Sequence, residues 1–260
     1  MNKIFGLKHL IIVAVCAILI AVLSVFARKL KFKTVAKTLF GVGIVSEIIK
    51  IFYYIVTNEA KYGGLLPKTD LPFHLCSIQI IFIAIIVISN NEKLKRFILS
   101  FMVPSCLFGG VAAILIATNS SLNGLFVITG QYFLYHVAIT VFAIYVLTSK
   151  EIKLDIKDYF NCLKFLLIMM FFAIYVNSAV SSDLITTNFM YVVDPPQSGL
   201  PFLNENHGWL VYIAHYATTI ILCVSLCYIK PIVNALKEKF SKKEVAVLEV
   251  AVTKEDEIDG

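Results

Sequence analysis

The feature that most constrains this chain is a series of apolar runs, each long enough to cross a bilayer as a helix. A helical span needs about 20 mostly apolar residues, and such runs fall at 9–27, 38–57, 71–89, 97–117, 131–148, 163–182 and 208–229. The second contains Glu47 and Lys50, and the fifth can begin as early as Phe126. In lipid every backbone polar group must be satisfied within the protein, so these runs predict an all-α fold: a polytopic membrane helix bundle of seven transmembrane helices. A hydrophobic share of 59% agrees, against about 45–50% in soluble domains. Lys3 and Lys8 precede the first run as in a secretory signal. That run is too long for a signal core, and "VLSVFARKLK" ends in a basic cluster with no small-x-small cleavage site, so the first helix is expected to be retained.

Loop charges set the expected orientation. Numbering loops by the runs they join, loop 1–2, loop 3–4, loop 5–6 and the tail carry 18 of the 23 lysines and arginines, whereas the opposite side carries four. Short cytoplasmic loops collect Lys and Arg, so the N-terminus is expected outside and the C-terminus in the cytoplasm. The net charge of +6 is then accounted for by lysines facing anionic headgroups, and no nucleic-acid partner is implied. Only two basic residues are arginine, a skew suggesting an AT-rich bacterial genome and hence a multi-pass protein of the bacterial cell membrane. The six cysteines form no CxxC pair and lie in or beside apolar runs, which reads as helix packing rather than a disulfide framework. Residues 1–232 form one transmembrane domain without linkers or repeats, and 233–260 a charged, mostly disordered cytoplasmic tail.

The outer loops "TNSSLNGLFVITG" and "SSDLITTNFMYVVDPPQSGLPFLNENHG" are long and nearly free of positive charge. Loops of that length are usually functional, and their apolar bits at 125–128 and 189–193 suggest segments at the interface. Chemistry is therefore expected on that face.

Ionisable residues inside spans are costly and mark sites by default. Glu47 and Lys50, three apart on one helix, can pair. In "DLPFHLCSIQIIF" the pattern predicts a helix from Leu71, with Asp70 or Thr69 as N-cap and Pro72 at the first helical position. Cys76 would lie about 7 Å below that end, where the helix dipole favours negative charge. Positions two apart on a helix point about 200° apart, so His74 cannot serve Cys76 as a base in regular geometry. His136 is the candidate partner, about 7 Å deep and level with Cys76 if its helix starts near Gln131, whereas a start at Phe126 puts it about 15 Å deep and weakens the pairing. A thiol beside an imidazole is the arrangement of an activated cysteine nucleophile. His74, Cys76, His136 and His207 have the ligand types of a zinc site, but no HxxxH, CxxC or HExxH spacing joins them, and neither metal nor cofactor is expected.

In these blocks the sequence resembles the YwaF-like integral membrane proteins, a family that also contains the animal transmembrane protein 164. The resemblance rests on "LPFHLCSIQ" at 71–79, "FGGVAAIL" at 108–115, "YHVAIT" at 135–140, "YVNSAV" at 175–180, "TNFMYVVDPP" at 187–196 and "GWLVYI" at 208–213. Ser77 stands where bacterial members carry an acidic residue, and the loop after Gly110 lacks their Pro-Asp step. The resemblance implies a membrane thiol acyltransferase, or a thiol-dependent lipid hydrolase, that acts on a phospholipid or lysophospholipid substrate through Cys76 and His136. Supporting roles would fall to His74, Glu47 and Tyr191, and Asn177 and Asn188 are candidates to hold the oxyanion. Trp209, Tyr191 and Tyr212 read as interfacial aromatics or as groove walls. The alternative is a non-catalytic membrane solute-binding module or small transporter subunit built on Glu47, Lys50, His74 and His136.

Overall fold

A computed structural model describes residues 5–62, 66–117, 119–149, 152–195 and 208–241. The described residues are helical throughout apart from short connections: α1 (Leu7–Ala27), α2 (Phe32–Tyr62), α3 (Gln79–Ile88), α4 (Glu92–Leu115), α5 (Asn119–Asn123), α6 (Phe126–Thr148), α7 (Ile156–Val180) and α8 (Trp209–Cys227). Two 3₁₀ turns, Lys68–Asp70 and Phe189–Tyr191, interrupt the connections. His207, a candidate metal ligand in the sequence, lies outside the described residues, as do residues 242–260 of the tail. Helix resumes at 229–241, running into the start of the tail.

Among the described residues, six helices are long and apolar enough to cross a membrane. The third expected span is the exception, for its helix α3 has 10 residues, about 15 Å at 1.5 Å per residue and half of a bilayer core. The shortening has a local cause. Pro72 disfavours helical backbone at the residue before it, and Leu71 is extended with φ −60° and ψ 150°. Residues 72–78 then wind as successive turns before α3 begins.

α4 and α6 form the centre. Of their apolar windows 61% and 50% are buried, against 17%, 17% and 11% for α1, α2 and α8, so the latter turn most of their surface outward. Packing gathers the connections at two ends. At one end, Arg96 of α4 clamps Asp158 through two bonds of 2.7 and 2.8 Å and Asp155 at 2.8 Å. Those two aspartates form the capping box that opens α7. Tyr145 donates to the Leu30 carbonyl at this end, 3.1 Å away.

At the other end α1 caps α4. His9 accepts from the Phe5 N–H at its Nδ1 (3.0 Å) and donates from Nε2 to the Ile114 carbonyl (2.9 Å). Lys68 reaches the Val180 carbonyl at the end of α7, 3.2 Å away.

Inside α4, Pro104 lacks the N–H that would bond Ser100 one turn earlier. The Tyr228 hydroxyl, just past α8, donates to that carbonyl at 2.9 Å. A missing intrahelical bond thus becomes the tie between α4 and α8.

Candidate functional site

The "LPFHLCSIQ" segment is held from three directions. Lys50 of α2 pairs with Glu47 at 2.8 Å and also donates to the Asp70 carbonyl at 3.1 Å. Tyr54 donates to the Asp70 carboxylate at 2.7 Å. The charges expected inside span two therefore serve each other and the chain entering α3. His74 donates from Nε2 to the Thr69 carbonyl at 3.0 Å, which leaves Nδ1 as its acceptor nitrogen. From α6, Tyr135 donates to the Cys76 carbonyl at 2.8 Å. That carbonyl otherwise accepts from Gln79, three residues on, while Ser77 takes the Ile80 N–H. The segment winds as 3₁₀ turns here, with a tertiary hydroxyl occupying the carbonyl that an α-turn would use.

Cys76 is half-buried and free. Its sulfur packs on Gly109 of α4, where an added Cβ would stand 3.6 Å from Sγ. The next residue, Gly110, packs on α6: a Cβ there would stand 3.0 Å from the His136 carbonyl oxygen. Adjacent helical residues differ by about 1.5 Å along the axis, so the Cys76 sulfur and the His136 backbone lie at nearly one level of α4. α6 does start at Phe126, which puts His136 about 15 Å along its own helix. The equal depth from two helix starts on which the expected pairing rested is therefore not met, and the two residues are related through α4 instead.

His136 is buried. Its Nδ1 lies 2.6 Å from the Tyr132 carbonyl; a carbonyl only accepts, so Nδ1 carries the proton and Nε2 is the nitrogen with a lone pair. The Tyr132 ring packs on the imidazole at 4.3 Å between centroids. Among the described residues no hydrogen bond joins Sγ of Cys76 to His136. Among the described residues, neither the groove between α1, α4 and α6 nor the one beside Asn177 and Trp209 is lined by Cys76 or His136.

Against His74 lies the 188–193 strap. His74 packs against Phe189 at 5.0 Å and Tyr191 at 6.0 Å. Met190 and Tyr191 are left-handed, with φ of 57° and 52°, a conformation costly for side chains larger than glycine. Four consecutive carbonyls are tied down by four side chains: Phe189 by Asn177 (3.1 Å), Met190 by Tyr216 (2.6 Å), Tyr191 by Tyr212, and Val192 by Trp209 (2.9 Å). Asn177 also accepts from the Phe189 N–H at 2.7 Å. Asn188 bonds Asp194 and Val193 at 2.7 and 3.1 Å. Both amides are thus engaged with strap backbone, and Trp209 and Tyr212 are strap anchors.

The model of the TMEM164 family matches residues 4–228. The chain belongs to the TMEM164 family. With six helices long and apolar enough to cross a membrane among the described residues, this TMEM164 family member is a multi-pass membrane protein. No curated protein and no solved structure matches it.

Sequence reasoning passed over Gly109, Tyr132, Tyr135 and Tyr216. Tyr132 had a readable signal, since it stands one helical turn before His136 on the same face. The others act across elements and leave no local pattern.

Proposed function

We propose that this TMEM164 family protein is a thiol acyltransferase, or a thiol-dependent lipid hydrolase, of membrane phospholipids, with Cys76 as nucleophile and His136 as base. The observation that carries the reading is the Gly109–Gly110 pair, which lets the Cys76 turn and the His136 helix close on consecutive positions of α4. His136 contributes a lone pair at Nε2 because Nδ1–H is held by the Tyr132 carbonyl, the orienting role that a third group plays in nucleophile–base pairs. Unliganded sites of this kind commonly hold nucleophile and base beyond bonding distance until substrate seats.

In the reaction, the Cys76 proton passes to Nε2 as sulfur attacks the ester carbonyl carbon of a phospholipid. The carbon–oxygen bond then breaks, and the lysolipid oxygen leaves with that proton. A second hydroxyl gives its proton to His136 and attacks the thioester, and the thiol is regenerated; a lysophospholipid hydroxyl makes this transfer, water makes it hydrolysis. Asn177 and Asn188 act as positioning residues by holding the strap that carries Tyr191. His74 links the H-x-C turn to the strap, while Glu47 holds Lys50 on the backbone of Asp70. In this reading residues 71–88 complete a seventh crossing, which places the basic ends in the cytoplasm and the Cys76 side outside, in a bacterial cell membrane. The concentration of lysines and arginines in alternate loops supports that orientation.

The test is labelling of the full-length protein in detergent by a fluorophosphonate-free, thiol-directed lipid electrophile such as an acyl chloromethyl ketone. Cys76→Ala is expected to abolish labelling, and His136→Gln to slow it by about 100-fold or more. Equal labelling of wild type and Cys76→Ala removes the nucleophile.

A further inference from the structure

On α1, Ala17, Ala21, Ser24 and Arg28 follow one another by four, three and four residues and so share a helix face. Small side chains there open a groove of about 460 Å³ against Val111 and Ile114 of α4 and Ile144 of α6, within the roughly 300–1,000 Å³ of ligand sites. The chemistry along it is ordered. At its end stands Arg28, exposed and without an ion pair among the described residues. About 6 Å deeper is Ser24, 7% exposed, whose hydroxyl has no hydrogen-bond partner. That is unusual for a helical serine here, since Ser105, Ser178 and Ser225 each donate to the carbonyl four residues back. Beyond Ser24 the groove is hydrocarbon as far as Val13, about 17 Å further along the helix, near the half-thickness of a roughly 30 Å bilayer core.

Cation, hydroxyl and one leaflet's length of apolar wall is the order of phosphate, glycerol ester and acyl chain. We propose that this groove binds one anionic phospholipid from the leaflet at the Arg28 end, phosphate on Arg28, ester region at Ser24 and one chain along Ala21 and Ala17. Arginine suits phosphate because its planar fork donates two parallel bonds. Of the two arginines in the chain, Arg96 is engaged with Asp155 and Asp158, and Arg28 stands at the groove. Lys29, Lys31 and Lys33 beside it favour an anionic over a zwitterionic headgroup. The groove shares no lining residue with the Cys76 site, so its occupant is a resident lipid rather than the substrate proposed above.

Native mass spectrometry of the full-length protein in detergent, titrated with dioleoyl phosphatidylglycerol or dioleoyl phosphatidylcholine, tests this. One phosphatidylglycerol is expected to bind in preference, and Arg28→Gln to weaken it about fivefold and erase the preference. Lys237→Gln, outside the groove, is expected to leave both unchanged. Arg28→Gln without effect, or Lys237→Gln with an equal effect, overturns the site. A diazirine-acyl phosphatidylglycerol gives a second reading on the wild type: adducts should concentrate on 13–25 and 111–115, and adducts spread evenly over α2, α7 and α8 overturn it. Cys76→Ala is expected to change neither result, which separates this site from the thiol reaction.

Discussion

Adding one methyl group at two adjacent glycines should move stability in opposite directions. At Gly110 an alanine Cβ would stand 2.3 Å from Thr140 Oγ1, 3.0 Å from the His136 carbonyl oxygen and 3.2 Å from Ile139 Cγ1. Thr140 is β-branched and stiff in a helix, and its hydroxyl already donates to that carbonyl at 2.7 Å, so α6 itself must shift. Overpacking of this kind costs about 1–3 kcal/mol. The 2.3 Å and backbone contacts put Gly110→Ala at the upper end of that range, and the roughly 1 kcal/mol gained from replacing a helical glycine offsets part of it. A net loss near ~2 kcal/mol follows. At Gly109 the nearest atoms are Leu75 Cδ2 at 3.4 Å and Cys76 Sγ at 3.6 Å, ordinary contacts, so Gly109→Ala should keep a gain of about 0.5–1 kcal/mol. For a chain of this size each kcal/mol moves Tm by about 2–4 °C. Thermal unfolding of both variants in one detergent should therefore separate them by roughly 5–10 °C. Gly110→Ala with Thr140→Ala should recover part of the loss. Equal shifts at the two positions, or no recovery, would refute the assignment of Gly110 as the α4–α6 contact. Gly109→Ala should also slow labelling of Cys76 while raising Tm, because it narrows the space beside the sulfur without loosening the fold.

Two further perturbations test how irregular backbone is satisfied. Tyr228→Phe should cost about 1–3 kcal/mol by orphaning the Ser100 carbonyl, and the cost should shrink in a Pro104→Ala background that restores the helical N–H. Unfolding of the four proteins as a double-mutant cycle with equal costs in both backgrounds would show that the bond does not fill the proline gap. Asn177→Ala removes the partners of both backbone groups of Phe189, a residue with 0% exposure. It should raise amide hydrogen exchange across 189–193 and leave α4 and α6 unchanged; unaltered exchange in the strap would show that Asn177 does not hold it.

The bundle was legible because its signal is local and repeated. Length and apolarity mark α1, α2, α4, α6, α7 and α8 one at a time, and the lipid requirement leaves helix as the one solution for each. α3 was legible in existence and not in extent. Pro72 looks like a helix-starting proline, yet its effect on Leu71 and the claim of Tyr135 on the Cys76 carbonyl delay the helix to Gln79. The second of these comes from 59 residues away and has no trace in the "LPFHLCSIQ" block. The Glu47–Lys50 pair was readable from its spacing. What Lys50 does with its remaining donors, holding the Asp70 carbonyl, was not. The strap is the extreme case, for its four carbonyls are tied by side chains 12 to 26 residues away, and its stretch of sequence reads as an apolar loop.

These non-local ties share a chemistry that bears on the thiol. Tyrosine hydroxyls are the donors to Asp70, Ala113, Cys76, Ser100, Met190 and Tyr191. Tyrosine brings a hydrogen-bond donor into an apolar setting without bringing a charge, so it can satisfy a bare carbonyl where lysine or arginine would be costly. At membrane depth, irregular backbone is tolerated where protein buries it or where it lines a cavity. In this chain the turns at 71–78 carry Cys76, and the strap, left-handed at 190–191, packs on His74 two residues before it. A fold needing Cys76 as packing alone would gain from an uninterrupted helix through 71–88, which satisfies every carbonyl without recruiting a side chain from α6. Strain and irregularity gathered around one sulfur are what a site demands of its scaffold, and this is the physical ground for seeking chemistry at Cys76 before any of the other five cysteines.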